Sequence, residues 1–126
     1  MEKIAVIGGG AAGMMASIFA ARRGMEVHVY EKNEKTGKKL YITGKGRCNL
    51  TNACDMEELL ESVKSNKKFL YSAFYGFTNQ DAYDFFEAEG LKLKVERGNR
   101  VFPVSDRSAD VLDTLRRAMR SAGVQV

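Results

Sequence analysis

Gly8-Gly9-Gly10-Ala11-Ala12-Gly13 decides the fold, because this G-x-G-x-x-G stands between two segments of different period. Before it, residues 4–7 (Ile-Ala-Val-Ile) are a short apolar run with β-branched residues, which predicts a strand buried on both faces. After it, residues 11–23 are small or straight-chained, and Gly24 stands where a left-handed helix terminator belongs. Residues 26–31, Glu-Val-His-Val-Tyr-Glu, then alternate as a second strand does. Strand, helix and strand within about thirty residues make a βαβ unit, whose right-handed crossover requires parallel strands. The fold class is therefore α/β and Rossmann-like.

In that setting each part of the motif has a task. Gly8 permits the tight turn, Gly10 lets backbone approach a pyrophosphate, and Gly13 lets the helix pack closely on the sheet. The free amides at the helix N-terminus, at Ala11, Ala12 and Gly13, face the phosphates. Glu31 closes the second strand with 17 residues between it and Gly13, the position from which a carboxylate accepts hydrogen bonds from adenosine ribose hydroxyls. These residues predict a dinucleotide site. Glu31 would repel a 2′-phosphate, which counts against NADP, although Lys32 stands next to it. FAD is favoured over NAD, because the motif begins at residue 8 and a long basic loop follows the ribose acid, placed to meet a flavin beyond the pyrophosphate.

Composition agrees with a globular enzyme segment. The chain has 126 residues, 44% hydrophobic and 29% charged, enough for one core and too apolar for an intrinsically disordered chain. The apolar N-terminus is interrupted by Gly8, Gly9, Gly10 and Gly13 and follows Glu2 and Lys3, which fits neither a membrane span nor a signal peptide, so a cytoplasmic location is expected. The net charge of +4 is concentrated: Lys32, Lys35, Lys38, Lys39, Lys45 and Arg47 face only Glu31 and Glu34 in their segment. Such a run is either a solvated loop or an anion site. An RNA-binding protein using this run is the competing class of function, but the aromatics keep helical spacing and none interleaves with it, so no nucleic-acid partner is expected.

Cys48, Cys54 and a single histidine, His28, cannot make an ordinary four-ligand zinc site. Five residues separate the two cysteines, one more than in flavin disulfide reductases. On a helix the extra residue turns the second thiol by about 100°, which opposes a redox pair facing a flavin. His28, between valines in a strand, reads as a packed or rim residue.

Downstream, the sequence predicts an N-capped helix at Asp55 with Glu58, a helix over residues 69–77, and a third between Asn79 as cap and Gly90. Their aromatics are expected to be mostly core. Alternation over residues 91–96, a Gly98-Asn99 turn and Arg100-Val101-Phe102 predict a β-hairpin. Val111, Leu112, Leu115, Ala118, Met119 and Ala122 stripe a last helix ended by Gly123, with Arg116, Arg117 and Arg120 read as complements to its dipole. Residues 124–126 start another strand of the first sheet. The organisation expected is a nucleotide-binding βαβ unit with its loop at 1–54, helices and hairpin at 55–103, and a helix returning to the sheet at 104–126, with the chain read as truncated inside that strand.

Gly37-Lys38-Lys39-Leu40, Thr43-Gly44, and Gly46-Arg47-Cys48-Asn49-Leu50-Thr51-Asn52, with Phe102-Pro103, Ser105, Ser108, Ala109 and Val111, resemble the signature of a bacterial family of NAD(P)/FAD-dependent oxidoreductases, the aminoacetone oxidase-like and 3-dehydro-bile-acid reductase-like flavoproteins. The resemblance spans nearly the whole chain but only the N-terminal part of those longer proteins. It implies a glutathione-reductase-type FAD domain, with Lys38, Lys39, Arg47, Cys48 and Asn49 lying along the cofactor. Arg47 can pair with phosphate or polarise the flavin carbonyl edge, and Asn49 can donate and accept at the ring. The activity implied is hydride transfer between a nicotinamide or organic substrate and FAD, with NAD(P)H one candidate donor; a flavin disulfide reductase is the alternative. A small-molecule substrate and a homodimer are the expected partners.

Overall fold

The computed structural model describes all 126 residues and divides them into two compact units, residues 1–48 with 107–126, and residues 49–106. The divisions fall after residues 48 and 106, whereas the sequence suggested 54 and 103.

In the first unit, β1 (Lys3–Ile7) leads through the glycine turn into α1 (Ala11–Arg22) and back along β2 (Glu26–Tyr30), which pairs parallel to β1 with Ile4 opposite Val27 and Ile7 opposite Tyr30. The chain then forms α2 (Lys38–Ile42) and a 3-10 turn. It resumes in this unit with α6 (Ser108–Ala122), ended by Gly123 at φ 85°. The last residues return to the sheet: Val29 N–H donates to Gln125 O at 2.7 Å and Gln125 N–H to Val27 O at 3.0 Å, so residues 124–126 lie parallel to β2. That return is the one the sequence predicted.

Pleating decides the core of this unit. Val27 and Val29 point under the helices and are buried with Met14, Ile18, Val111, Leu115, Ala118 and Met119. The alternate residues point the other way, and no helix covers them. Ile7 is 81% exposed and Tyr30 58%. The expectation that residues 4–7 are buried on both faces is therefore corrected. α1 packs on the sheet and α6 packs on α1, so both crossovers run on one face.

The second unit holds an antiparallel sheet, order β3 (Thr51–Asn52), β5 (Arg100–Pro103), β4 (Leu93–Glu96), and three helices, α3 (Met56–Glu61), α4 (Tyr71–Gly76) and α5 (Asn79–Ala88). The hairpin is as expected, with β3 added along the free edge of β5. Asp55 caps α3 through its side chain on Glu58 N–H. The single helix expected over residues 69–77 is instead a 3-10 turn, Lys67–Leu70, followed by the short α4. Its aromatics are not core: Phe69 is 84% exposed and Phe77 38%, while Phe85 and Phe86 on α5 are buried. The cap of α5 is Thr78, in a full capping box with Asp81. Asn79, expected as that cap, donates its side-chain amide to Asn52 O and Cys54 O at 2.6 and 2.7 Å and ties α5 to the end of β3.

Candidate functional site

The site is built at the carboxyl ends of the parallel strands, where open α/β sheets take their ligands. Gly8 turns at φ 96°, in the left-handed region that favours glycine, and its N–H donates to Tyr30 O at 2.8 Å. Gly13 faces back onto that turn: a Cβ there would collide with the carbonyl oxygen of Gly8. A Cβ at Gly10, in contrast, would meet nothing within 4 Å, and φ −83° is open to any residue. Gly10 thus borders free space rather than protein. It caps α1 without any side-chain acceptor, so the first amides of the helix, at Ala11, Ala12 and Gly13, are available to an anion over the turn.

Glu31 stands beside this cradle with both oxygens engaged by backbone. Oε2 accepts from Asn33 N–H and Oε1 from Gly9 N–H, each at 2.8 Å. These two amides, Asn33 first, hold its carboxyl below the usual carboxylate range, with Lys32 adding to the effect. The side chain is consequently an oriented anion whose remaining lone pairs can accept from hydroxyls. A cavity of about 570 Å³ opens next to it, lined by Val29, Tyr30, Lys32, Thr36 and Val126 among others. A larger one, about 770 Å³, lies along Lys32, Lys35, Lys38, Tyr41, Leu112 and Arg116.

The basic loop is fixed to the turn by a main-chain bond, Gly37 N–H donating to Gly9 O at 2.7 Å, and Gly37 adopts φ 71° and packs against the ends of the Leu112 and Met14 side chains. Lys38 and Lys39 are exposed on α2, and only Lys38 lines a cavity. Arg47 is half-buried. Cys48 is buried at φ 61°, its N–H bonded to Thr43 O at 3.1 Å. Asn49 falls in the second unit, where its amide, oriented to donate, reaches Thr51 O at 3.1 Å. Both cysteines are free thiols, and burial pushes each of them up, with Glu58 and then Asp55 adding to the effect on Cys54. His28 is half-buried and takes Glu26 as partner, Nε2 to Oε1 at 2.8 Å.

Three residues of this site escaped the sequence reading. Gly9 is an unspecified position of the motif, yet its N–H and C=O both bind neighbours of the turn. Thr36 carried no signal beyond its place before Gly37. Arg116 was assigned to the helix dipole, but its guanidinium reaches across the fold to Thr36.

The HI0933-like protein Rossmann domain matches residues 2–126. The chain belongs to this family. It is 36% identical over its whole length to a 3-dehydro-bile acid delta(4,6)-reductase of Clostridium scindens, covering 31% of that protein. It is 32% identical over 87% of its length to a ribosomal RNA dihydrouridine synthase of Escherichia coli, covering 27% of it. The chain therefore spans about a third or less of the curated relatives it matches. The crystal structure of THI4 from Thermovibrio ammonificans shares the fold, with TM-score 0.64 over 99% of this chain and 36% of the other, at 13% identity.

Proposed function

We propose that this chain is the FAD-binding segment of an oxidoreductase. The observation that carries the reading is the pairing of an open glycine turn, free at Gly10, with the Glu31 carboxylate held by two backbone amides. Gly8, Gly10 and the amides of Ala11, Ala12 and Gly13 take the pyrophosphate, and Glu31 accepts the ribose hydroxyls. The cavity beside Glu31 receives the adenine, while Lys32, Lys38 and Lys39 offset phosphate charge, and Arg47, Cys48 and Asn49 serve the flavin half. Bound there, FAD would supply hydride transfer between a nicotinamide and an organic substrate.

The names of two relatives support a narrower reading of the reaction. Their names denote the addition of hydrogen across a carbon–carbon double bond, in a bile acid in one case and in uridine of ribosomal RNA in the other. We therefore assign the whole protein to reduction of an activated carbon–carbon double bond, with a small molecule as substrate. The second reading, an RNA base as substrate, is favoured by the Escherichia coli relative and the run of cations from Lys32 to Arg47. A disulfide reductase fits less well, since a reactive thiol needs a lowered pKa and both cysteines are pushed upward.

Displacement of FAD, followed by recovery of its fluorescence, tests the assignment. ADP, which keeps the adenosine and both phosphates, should displace FAD; FMN, which lacks the adenosine, should not. Equal displacement by FMN would contradict the roles given to Glu31 and the glycine turn. A filter-binding titration with ribosomal RNA across salt separates the two substrate readings, weak and sequence-blind retention favouring the small molecule.

A further inference from the structure

Arg116 lies on α6, 80 positions from the residue it holds. Its Nη2 donates to Thr36 O at 2.7 Å and its Nε to Thr36 Oγ1 at 3.2 Å, a two-pronged grip on one residue that the guanidinium fork suits and a lysine ammonium does not. Thr36 is buried, and its methyl group faces the glycine turn so closely that a Cβ on Gly9 would lie 2.8 Å from Thr36 Cγ2. The next amide, Gly37 N–H, donates to Gly9 O, and Gly9 N–H donates to Glu31 Oε1. One turn before Arg116, Leu112 closes the space around Gly37. The last helix thus grips the loop twice, at Gly37 by packing and at Thr36 by hydrogen bonds.

We infer that Arg116 is a positioning residue for the nucleotide site: it fixes Thr36, and through Thr36 and Gly37 it sets the place of the Gly9 peptide that orients Glu31. Arg116 acts on the site through Thr36, the residue its guanidinium holds. An exposed arginine complementing a helix end would not need this geometry, because the macrodipole acts at the terminal turns and Arg116 sits more than one turn from the end of α6. The inference rests on the reading of the glycine turn as an FAD site.

The test compares wild type, Arg116→Gln, Arg116→Lys and Thr36→Val by FAD affinity, by thermal unfolding and by amide hydrogen exchange without ligand. Arg116→Gln should weaken FAD about tenfold. It should also speed exchange at Gly37 and Gly9 while amides in the middle of α1 and α6 keep their protection. Arg116→Lys should recover part of the affinity, and Thr36→Val, which removes the hydroxyl acceptor, should add little when combined with Arg116→Gln. Unchanged affinity in Arg116→Gln overturns the inference, as does a loss of protection spread evenly through α1 and α6, which would mark Arg116 as support for the fold alone. Failure of the wild type to bind FAD overturns the nucleotide reading, and this inference with it.

Discussion

A methyl group at Gly13 and a side chain at Gly10 should have opposite consequences. Gly13→Ala drives a Cβ into the Gly8 carbonyl, so α1 must shift, a loss of about 1 to 3 kcal/mol of stability visible as a lower midpoint in urea unfolding. Gly10 has free space and permissive backbone, so substitution there should spare the fold and act only on a ligand. Glu31 makes a prediction in pH. A carboxyl held below its ordinary value stays ionised as acid is added, so whatever it contributes is present above its unfolded-state value and is lost only as pH falls through the lower folded value. FAD affinity, whose pyrophosphate has no proton that titrates near neutrality, should therefore stay level from neutral pH through the ordinary carboxylate range and decline below it; a decline that begins near neutrality would contradict the role of Glu31. The placement of these glycines and Glu31 around one turn was legible because its signal is local, a spacing within one βαβ unit. Thr36 and Arg116 were not, since their partnership depends on tertiary placement and neither residue type marks it.

Elements with many residues per face announced themselves. The fifteen residues of α6 carry seven buried positions at helical spacing, and its end at Gly123 follows from one residue's conformational freedom. Short elements did not. α4 has six residues and no buried one, so its aromatics, spaced as for a helix core, gave a false signal for residues 69–77. The N-terminus of α5 was missed by one position because Asn79 is also a good cap; the structure uses its amide for β3 and leaves capping to Thr78 and Asp81. Thr78→Ala should accordingly cost about 1 kcal/mol of stability, whereas Thr78→Ser should cost far less. Equal stability of Thr78→Ala and wild type in urea unfolding would show that the box contributes nothing.

At the scale of the molecule, one face of the parallel sheet is covered by α1 and α6 and the other displays Ile7, 81% exposed, and Tyr30, 58% exposed. Apolar surface of this kind favours association. The chain is expected to form a concentration-dependent dimer in sedimentation equilibrium, weakened by Ile7→Lys; a monomer at every concentration would contradict this. The pattern of residues 4–7 could not reveal the bare face, because an apolar strand reads the same whether its second face is covered or not. Everything proposed for function depends on the space above Gly10 being filled by a pyrophosphate. The direct measurement is FAD affinity of Gly10→Val beside wild type, with unfolding followed in both. Gly10→Val should keep the wild-type unfolding midpoint and lose FAD binding; a folded Gly10→Val that binds FAD as wild type does would contradict the pyrophosphate's place over the turn.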